Sequence, residues 1–151
     1  MLSFSNLTKL VRIRELNHMR VSQRTEYGIR AMIALARDFN DVVSIKELAE
    51  RESIPETFLE QIMSDLRRAG LLESVRGAYG GYRLKDRPET ITVGRVMEVL
   101  EGTLSPARCE SGCERQVGCS TRSVLERIER SITETLDGIY LQDLVGDGVG
   151  E

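Results

Sequence analysis

The sequence predicts a mainly α fold with a small β wing, in which a winged helix-turn-helix is followed by a long C-terminal helix. Three observations carry this prediction. Two short apolar-striped helices, each with its own start signal, stand in tandem over 44–69; a glycine-rich hairpin pattern follows over 71–84; and an apolar stripe at helical spacing runs from Leu125 to Ile139. The 151 residues, 40% hydrophobic and 30% charged, suit one domain, or one domain with an oligomerisation helix.

The first helix is expected over about 23–39, where Tyr27, Ile29, Met32, Ile33, Leu35, Ala36 and Phe39 recur at helical spacing before Asn40-Asp41. Met19 directly precedes a sequence that reads as a natural start. Residues 1–18 are therefore taken as an N-terminal extension or a misassigned start, and the winged domain is placed at 19–102. Ser44-Ile-Lys-Glu47 has capping-box spacing, in which hydroxyl and carboxylate each satisfy an orphan amide, with Ile45, Leu48 and Ala49 on the following face. Ser53-Ile-Pro-Glu56 repeats the signal with Pro55 in the first turn. Phe58, Leu59, Ile62, Met63 and Leu66 then form a buried stripe up to a capping Gly70.

Leu71–Val75 and Tyr82–Leu84 read as two strands around Arg76-Gly-Ala-Tyr-Gly-Gly81, whose three glycines permit positive φ in the connection. A short helix over about 92–100 ends near Gly102, and a cysteine loop spans 103–120. Ser123-Val-Leu-Glu126 opens the last helix, assigned to 121–145, with Leu125, Ile128, Ile132, Leu136 and Ile139 on a stripe wider than one helix can hide. That helix is read as a dimerisation helix, and 146–151 as a flexible tail.

Composition narrows the function. The opening segment lacks a long apolar core and a small-residue cleavage site, and no run approaches membrane-spanning length, so a cytoplasmic protein without membrane contact is expected. The net charge of −3 conceals a polarity. Residues 61–87 carry six basic side chains (Arg67, Arg68, Arg76, Arg83, Lys85, Arg87) against three acidic ones (Asp65, Glu73, Asp86), whereas 98–151 carry eleven acidic against five basic. A basic module followed by an acidic one suits a chain that meets phosphate with one end only. With one histidine, His18, no nucleotide-binding glycine fingerprint and no nucleophile with a partner, neither an enzyme nor a small-molecule substrate is expected.

In a helix-turn-helix the second helix enters the major groove, which makes the exposed positions of 55–69 the readers. Glu56, Thr57, Glu60, Gln61 and Ser64 lie off the apolar stripe. Glutamine can pair with adenine, glutamate can accept from the cytosine amino group, and threonine can serve base or phosphate. Arg76 at the wing suits the minor groove, and Arg67 and Arg68 suit phosphates. A winged helix that docks a protein instead of DNA is the alternative, and an exposed charge taken singly is as readily a solvated helix face.

Cys109, Cys113 and Cys119, the only cysteines in the sequence, fall within eleven positions. Thiolates so close can converge on one metal centre, and in a reducing compartment an odd, clustered set fits metal or redox chemistry better than structural disulfides. Spacing alone leaves an iron-sulfur cluster, zinc and metal-free thiol switching open, the last aided by Arg108 or Arg115 beside the thiols.

Met19-Arg-Val-Ser-Gln-Arg-Thr-Glu-Tyr-Gly-Ile-Arg-Ala-Met32, Ser44-Ile-Lys-Glu-Leu-Ala49, Phe58-Leu-Glu-Gln-Ile62, the wing Gly70 to Leu84 and the cysteine loop together resemble the IscR/NsrR-type family of bacterial winged-helix regulators over about 19–145. The resemblance implies a homodimer through the last helix, a palindromic DNA operator, and an iron-sulfur cluster, 2Fe-2S or 4Fe-4S, that switches DNA affinity. It implies a repressor sensing nitric oxide, redox state or iron supply. By position, Thr57, Glu60 and Arg76 match residues the family uses at its operator; Gln61, Ser64, Arg67 and Tyr82 complete the expected set. The chain departs from the family where Cys109 and Cys113 stand closer than usual, and where Ser120-Thr-Arg122 replaces the histidine that one branch carries after its third cysteine. The nitric-oxide-sensing branch takes an acidic ligand from the partner's first helix, and Glu26 occupies the matching position, though a first-turn acid is also favoured there by the helix dipole. Glu110 and Glu114 are further oxygen donors.

Overall fold

In a computed structural model, residues 21–102 and 119–146 are described. The expected extension at 1–18, with His18, most of the cysteine loop, with Arg108, Cys109, Glu110, Cys113, Glu114 and Arg115, and the tail at 147–151 lie outside the described residues. The element order is α1 (Gln23–Arg37), α2 (Ile45–Glu52), α3 (Glu56–Arg68), β1 (Leu72–Val75), β2 (Gly81–Leu84), a 3-10 turn (Pro88–Thr90), α4 (Val93–Glu101), α5 (Ser120–Asp137) and α6 (Leu141–Val145). The fold is mainly helical with a two-stranded antiparallel sheet, as expected. Among the described residues no helix is long and apolar enough to cross a membrane.

Capping sets the helix starts. Ser22, Ser44 and Thr92 are extended N-caps whose hydroxyls accept from the amides of Thr25, Glu47 and Arg95. The predicted second capping box is not used. Ser53 adopts φ 52° and closes α2, with the Ile54 amide donating to the Ala49 carbonyl and the Ser53 amide to Glu50, so α3 starts on Pro55 without a side-chain cap. The turn of the helix-turn-helix thus comes from a left-handed serine. At the far end of α3, Gly70 at φ 81° allows the Leu71 amide to reach the Leu66 carbonyl, the expected glycine stop.

The core is one cluster. Met32 and Leu35 of α1, Leu48 of α2, and Leu59, Ile62, Met63 and Leu66 of α3 are almost wholly buried, and Leu72, Leu84 and Val96 join them. Tyr27 and Phe58 meet edge to face at 5.8 Å, seating the start of α3 on α1. Gly28 is required by close approach, since a Cβ there would lie 2.1 Å from Leu100 Cδ1 of α4.

The wing pairs Leu72 with Leu84, Glu73 with Arg83, Ser74 with Tyr82 and Val75 with Gly81. Val43 adds a third position alongside, exchanging backbone hydrogen bonds of 3.0 and 2.8 Å with Tyr82. Of the three wing glycines, only Gly77 has positive φ. Gly80 and Gly81 are needed for space, because a Cβ would fall 2.4 Å from the Val75 carbonyl oxygen and 2.1 Å from that of Val43.

The expectation of one helix over 121–145 is corrected. Helix α5 begins three residues earlier than Ser123 and ends at Asp137, with Gly138 as its C-cap; Ile139 lies in the bend rather than on the helical stripe. The Val93 amide then donates to Ile139, the Leu141 amide donates to Ile91, and α6 packs against α1 with Leu141 fully buried. A winged domain drawn at 19–102 therefore lacks its closing helix, which the chain supplies from beyond α5.

Candidate nucleic-acid interface and cysteine region

Helix α3 divides cleanly into two faces. Leu59, Ile62, Met63 and Leu66 are buried, while Glu56, Thr57, Glu60, Gln61, Arg67 and Arg68 are exposed and Ser64 is half-buried. The five anticipated readers thus share the outer face. Beside it, Arg67 Nη1 donates to Ser74 Oγ at 3.4 Å, tying the end of α3 to the first wing strand. Arg76 is exposed directly after β1, and Tyr79, at 95% exposure, marks the tip of the turn closed by the Gly80 amide on the Gly77 carbonyl. Tyr82 differs from the others: it is half-buried, packs on the core and uses its backbone on Val43.

Two charged contacts, Arg24 with Asp65 and Ser22 with Glu101, had no local sequence signal, because each needs the fold. Arg24 of α1 pairs with Asp65 of α3, and Arg68 donates to the other oxygen of the same carboxylate at 3.0 Å. Arg24 Nε is buried without a hydrogen-bond partner. Arg24, Asp65 and Arg68 line a shallow depression together with Glu60, Gln61 and Ser64, so this cluster adjoins the reading face. Farther away, the Ser22 amide donates to Glu101 Oε1 at 2.7 Å. Hydrogen bonding from Ser22 outweighs partial burial and holds the Glu101 carboxyl below its ordinary range. This bond joins the start of α1 to the last turn of α4.

Cys119 is the described cysteine. It is half-buried and serves as N-cap of the 18-residue α5 with no side-chain cap bond. A sulfur there stands where helix N–H groups lack intrahelical partners and favour an anionic neighbour, which fits a thiolate ligand. Glu26 is exposed in the first turn of α1. Among the described residues no group of three or more His, Cys, Asp or Glu converges as a metal site.

Helix α5 contains no buried residue. Val124 and Ile128 are 54% and 40% exposed, and Leu125, Ile132 and Leu136 are half-buried, which leaves an apolar stripe partly uncovered by the chain's own fold.

The Rrf2 family, described as an iron-dependent transcriptional regulator, matches residues 21–147. The HTH-type transcriptional regulator CymR of Bacillus subtilis (strain 168) is 39% identical over 134 residues, spanning 88% of this chain and 94% of that protein. The solved structure of CymR, described as the global cysteine regulator of B. subtilis, has a TM-score of 0.76 at 36% identity, covering 87% of this chain and 100% of that one. The solved structure of T. potens IscR gives 0.73 at 40% identity, covering 88% and 93%. With the helix-turn-helix, the wing and these relatives in agreement, the chain belongs to the Rrf2 family of DNA-binding transcriptional regulators.

Proposed function

We propose that the chain acts as a homodimeric repressor whose grip on a palindromic operator is switched by an iron-sulfur cluster held by Cys109, Cys113 and Cys119. The observation that carries this reading is the position of Cys119 as N-cap of α5, the helix with the uncovered apolar stripe. The cysteine set therefore leads straight into the surface a second copy would cover. Thiolates suit iron in a cluster, and the exposed carboxylate of Glu26 would supply a harder, more easily displaced fourth ligand across the dimer. When bound, such a cluster supplies a centre that reacts with nitric oxide or oxidants.

The remaining work belongs to this chain's residues. Thr57, Glu60, Gln61 and Ser64 present donors and acceptors to base edges, Arg67 meets a phosphate, Arg76 enters the minor groove, and the exposed edge of Tyr82 meets the backbone beside the wing. The spacing of two α3 helices in a dimer must match two half-sites about one helical turn apart, so a change that tilts α5 alters affinity at both.

The test is anaerobic purification, with iron and acid-labile sulfide assayed per subunit and operator affinity measured with and without cluster. Matching iron and sulfide with unequal affinities supports the switch; equal affinities remove it. A metal-free thiol switch is the second reading, supported by the likeness to Staphylococcus aureus CymR, at 31% identity, one of whose solved structures is described as the oxidized form. A colourless, iron-free protein that resists reconstitution, yet changes operator affinity on oxidation, would establish it instead.

A further inference from the structure

We infer that Arg24 of α1, with Arg68 of α3, forms a seat for a DNA backbone phosphate, and that the Asp65 carboxylate fills this seat when DNA is absent. The inference rests on the DNA-binding reading and adds a contact from outside the helix-turn-helix. Arg24 and Arg68 approach one carboxylate from two different helices, each bonded to a different oxygen. An oxygen-bearing anion between two guanidiniums is the geometry a phosphodiester would reproduce. Glu60, Gln61 and Ser64 line the same depression, so an anion placed there lies along the edge of the helix expected in the major groove.

Arg24 is incompletely satisfied as it stands. Its Nη2 donates to Asp65 while its Nε is buried with no partner, and its side chain is 33% exposed. Asp65 gives one oxygen to each arginine, whereas a phosphodiester that turns both non-bridging oxygens to Arg24 accepts from Nη2 and Nε together once Arg24 turns outward. Asp65 then keeps Arg68, which at 76% side-chain exposure reaches carboxylate and phosphate alike. Asp65 acts as an internal competitor that keeps the face from binding polyanions indiscriminately.

The experiment measures binding of the full chain to a random-sequence duplex and to the operator at several salt concentrations, for wild type, Arg24→Gln, Arg24→Lys, Asp65→Asn and the Arg24→Gln/Asp65→Asn double variant. Losing one phosphate contact lowers the slope of log affinity against log salt by about 0.9, so between 50 and 200 mM salt the wild type should weaken about 3.5-fold more than Arg24→Gln. Arg24→Lys should keep the wild-type slope, which separates charge at the seat from helix packing. Asp65→Asn should bind both duplexes more tightly, and that gain should vanish in the double variant. An unchanged slope in Arg24→Gln, or a gain from Asp65→Asn that persists without Arg24, would overturn the seat. Wild-type protein that binds no duplex would overturn the DNA reading itself.

Discussion

Replacing Leu141 by alanine separates two accounts of the C-terminal segment. If residues 121–145 formed one dimerisation helix, Leu141 would sit on or near the subunit interface, and its loss would be felt as weaker association. In the structure its side chain is 0% exposed, in a five-residue helix packed on α1 within the core of its own subunit. Truncation removes three buried carbons, about 2.4 kcal/mol at ~0.8 kcal/mol each, and an incompletely collapsed cavity raises this to roughly 3 kcal/mol. For a chain of this size each kcal/mol moves the melting temperature by about 2–4 °C, giving a drop of roughly 6–12 °C. Differential scanning calorimetry at several matched protein concentrations provides the assay, since a dimer's melting temperature rises with concentration by mass action. The expected drop is the same at every concentration. A shift below about 3 °C, or one that disappears at high concentration, would refute the placement of Leu141 in the core.

Gly28→Ala should destabilise, against the usual gain of up to about 1 kcal/mol for this change inside a helix, because the new Cβ would lie 2.1 Å from Leu100 Cδ1; chemical denaturation reads the sign, and pairing it with Leu100→Ala should recover part of the loss. Glu101 has a folded-state pKa below its unfolded value, so its bond to Ser22 stabilises above the ordinary carboxylate range and that contribution fades as pH falls through the folded value. Glu101→Gln should therefore lower stability at neutral and alkaline pH, where the carboxylate contributes, leave the acid end nearly unchanged, and so flatten the acid limb of a stability-versus-pH curve. Ile128→Glu, placed on the uncovered stripe of α5, should yield a monomer by analytical ultracentrifugation while leaving the helical circular dichroism intact.

The reading domain was legible because its signals are local. Ser44 and the apolar residues of α2 and α3 act through neighbours three and four positions away, and the wing announced itself by glycines between short apolar runs. Ser53 misled because serine at an N-cap and serine in a left-handed C-terminal turn look alike until the backbone is seen. The end of α5 misled because Ile139 continues the apolar rhythm beyond Gly138. A better signal was available: Gly138 followed by Tyr140 and Asp143, whose carboxylate accepts from the Tyr140 amide at 2.9 Å and marks a fresh helix start. The Arg24–Asp65 and Ser22–Glu101 contacts join residues 41 and 79 positions apart and carry no local pattern at all. The exposure of Thr57, Glu60 and Gln61 was legible because the side of α3 that is not apolar is fixed by the same periodicity that builds the core.

The return of the chain through α6 gives α5 the mechanics of a lever with one hinged end. Its last turn is held where Gly94 of α4 meets Asp137 so closely that a Cβ would come within 2.1 Å, and the pairing of Thr92 with Tyr140 fixes the hinge just beyond. Eighteen residues at about 1.5 Å each make an arm of roughly 27 Å, with Cys119 at the opposite end. On an arm of that length, a tilt of about 5° at the hinge sweeps the cysteine end through roughly 2 Å. The same leverage runs in reverse, so a modest sideways force at Cys119 acts on the hinge with the whole length of the helix as its moment arm.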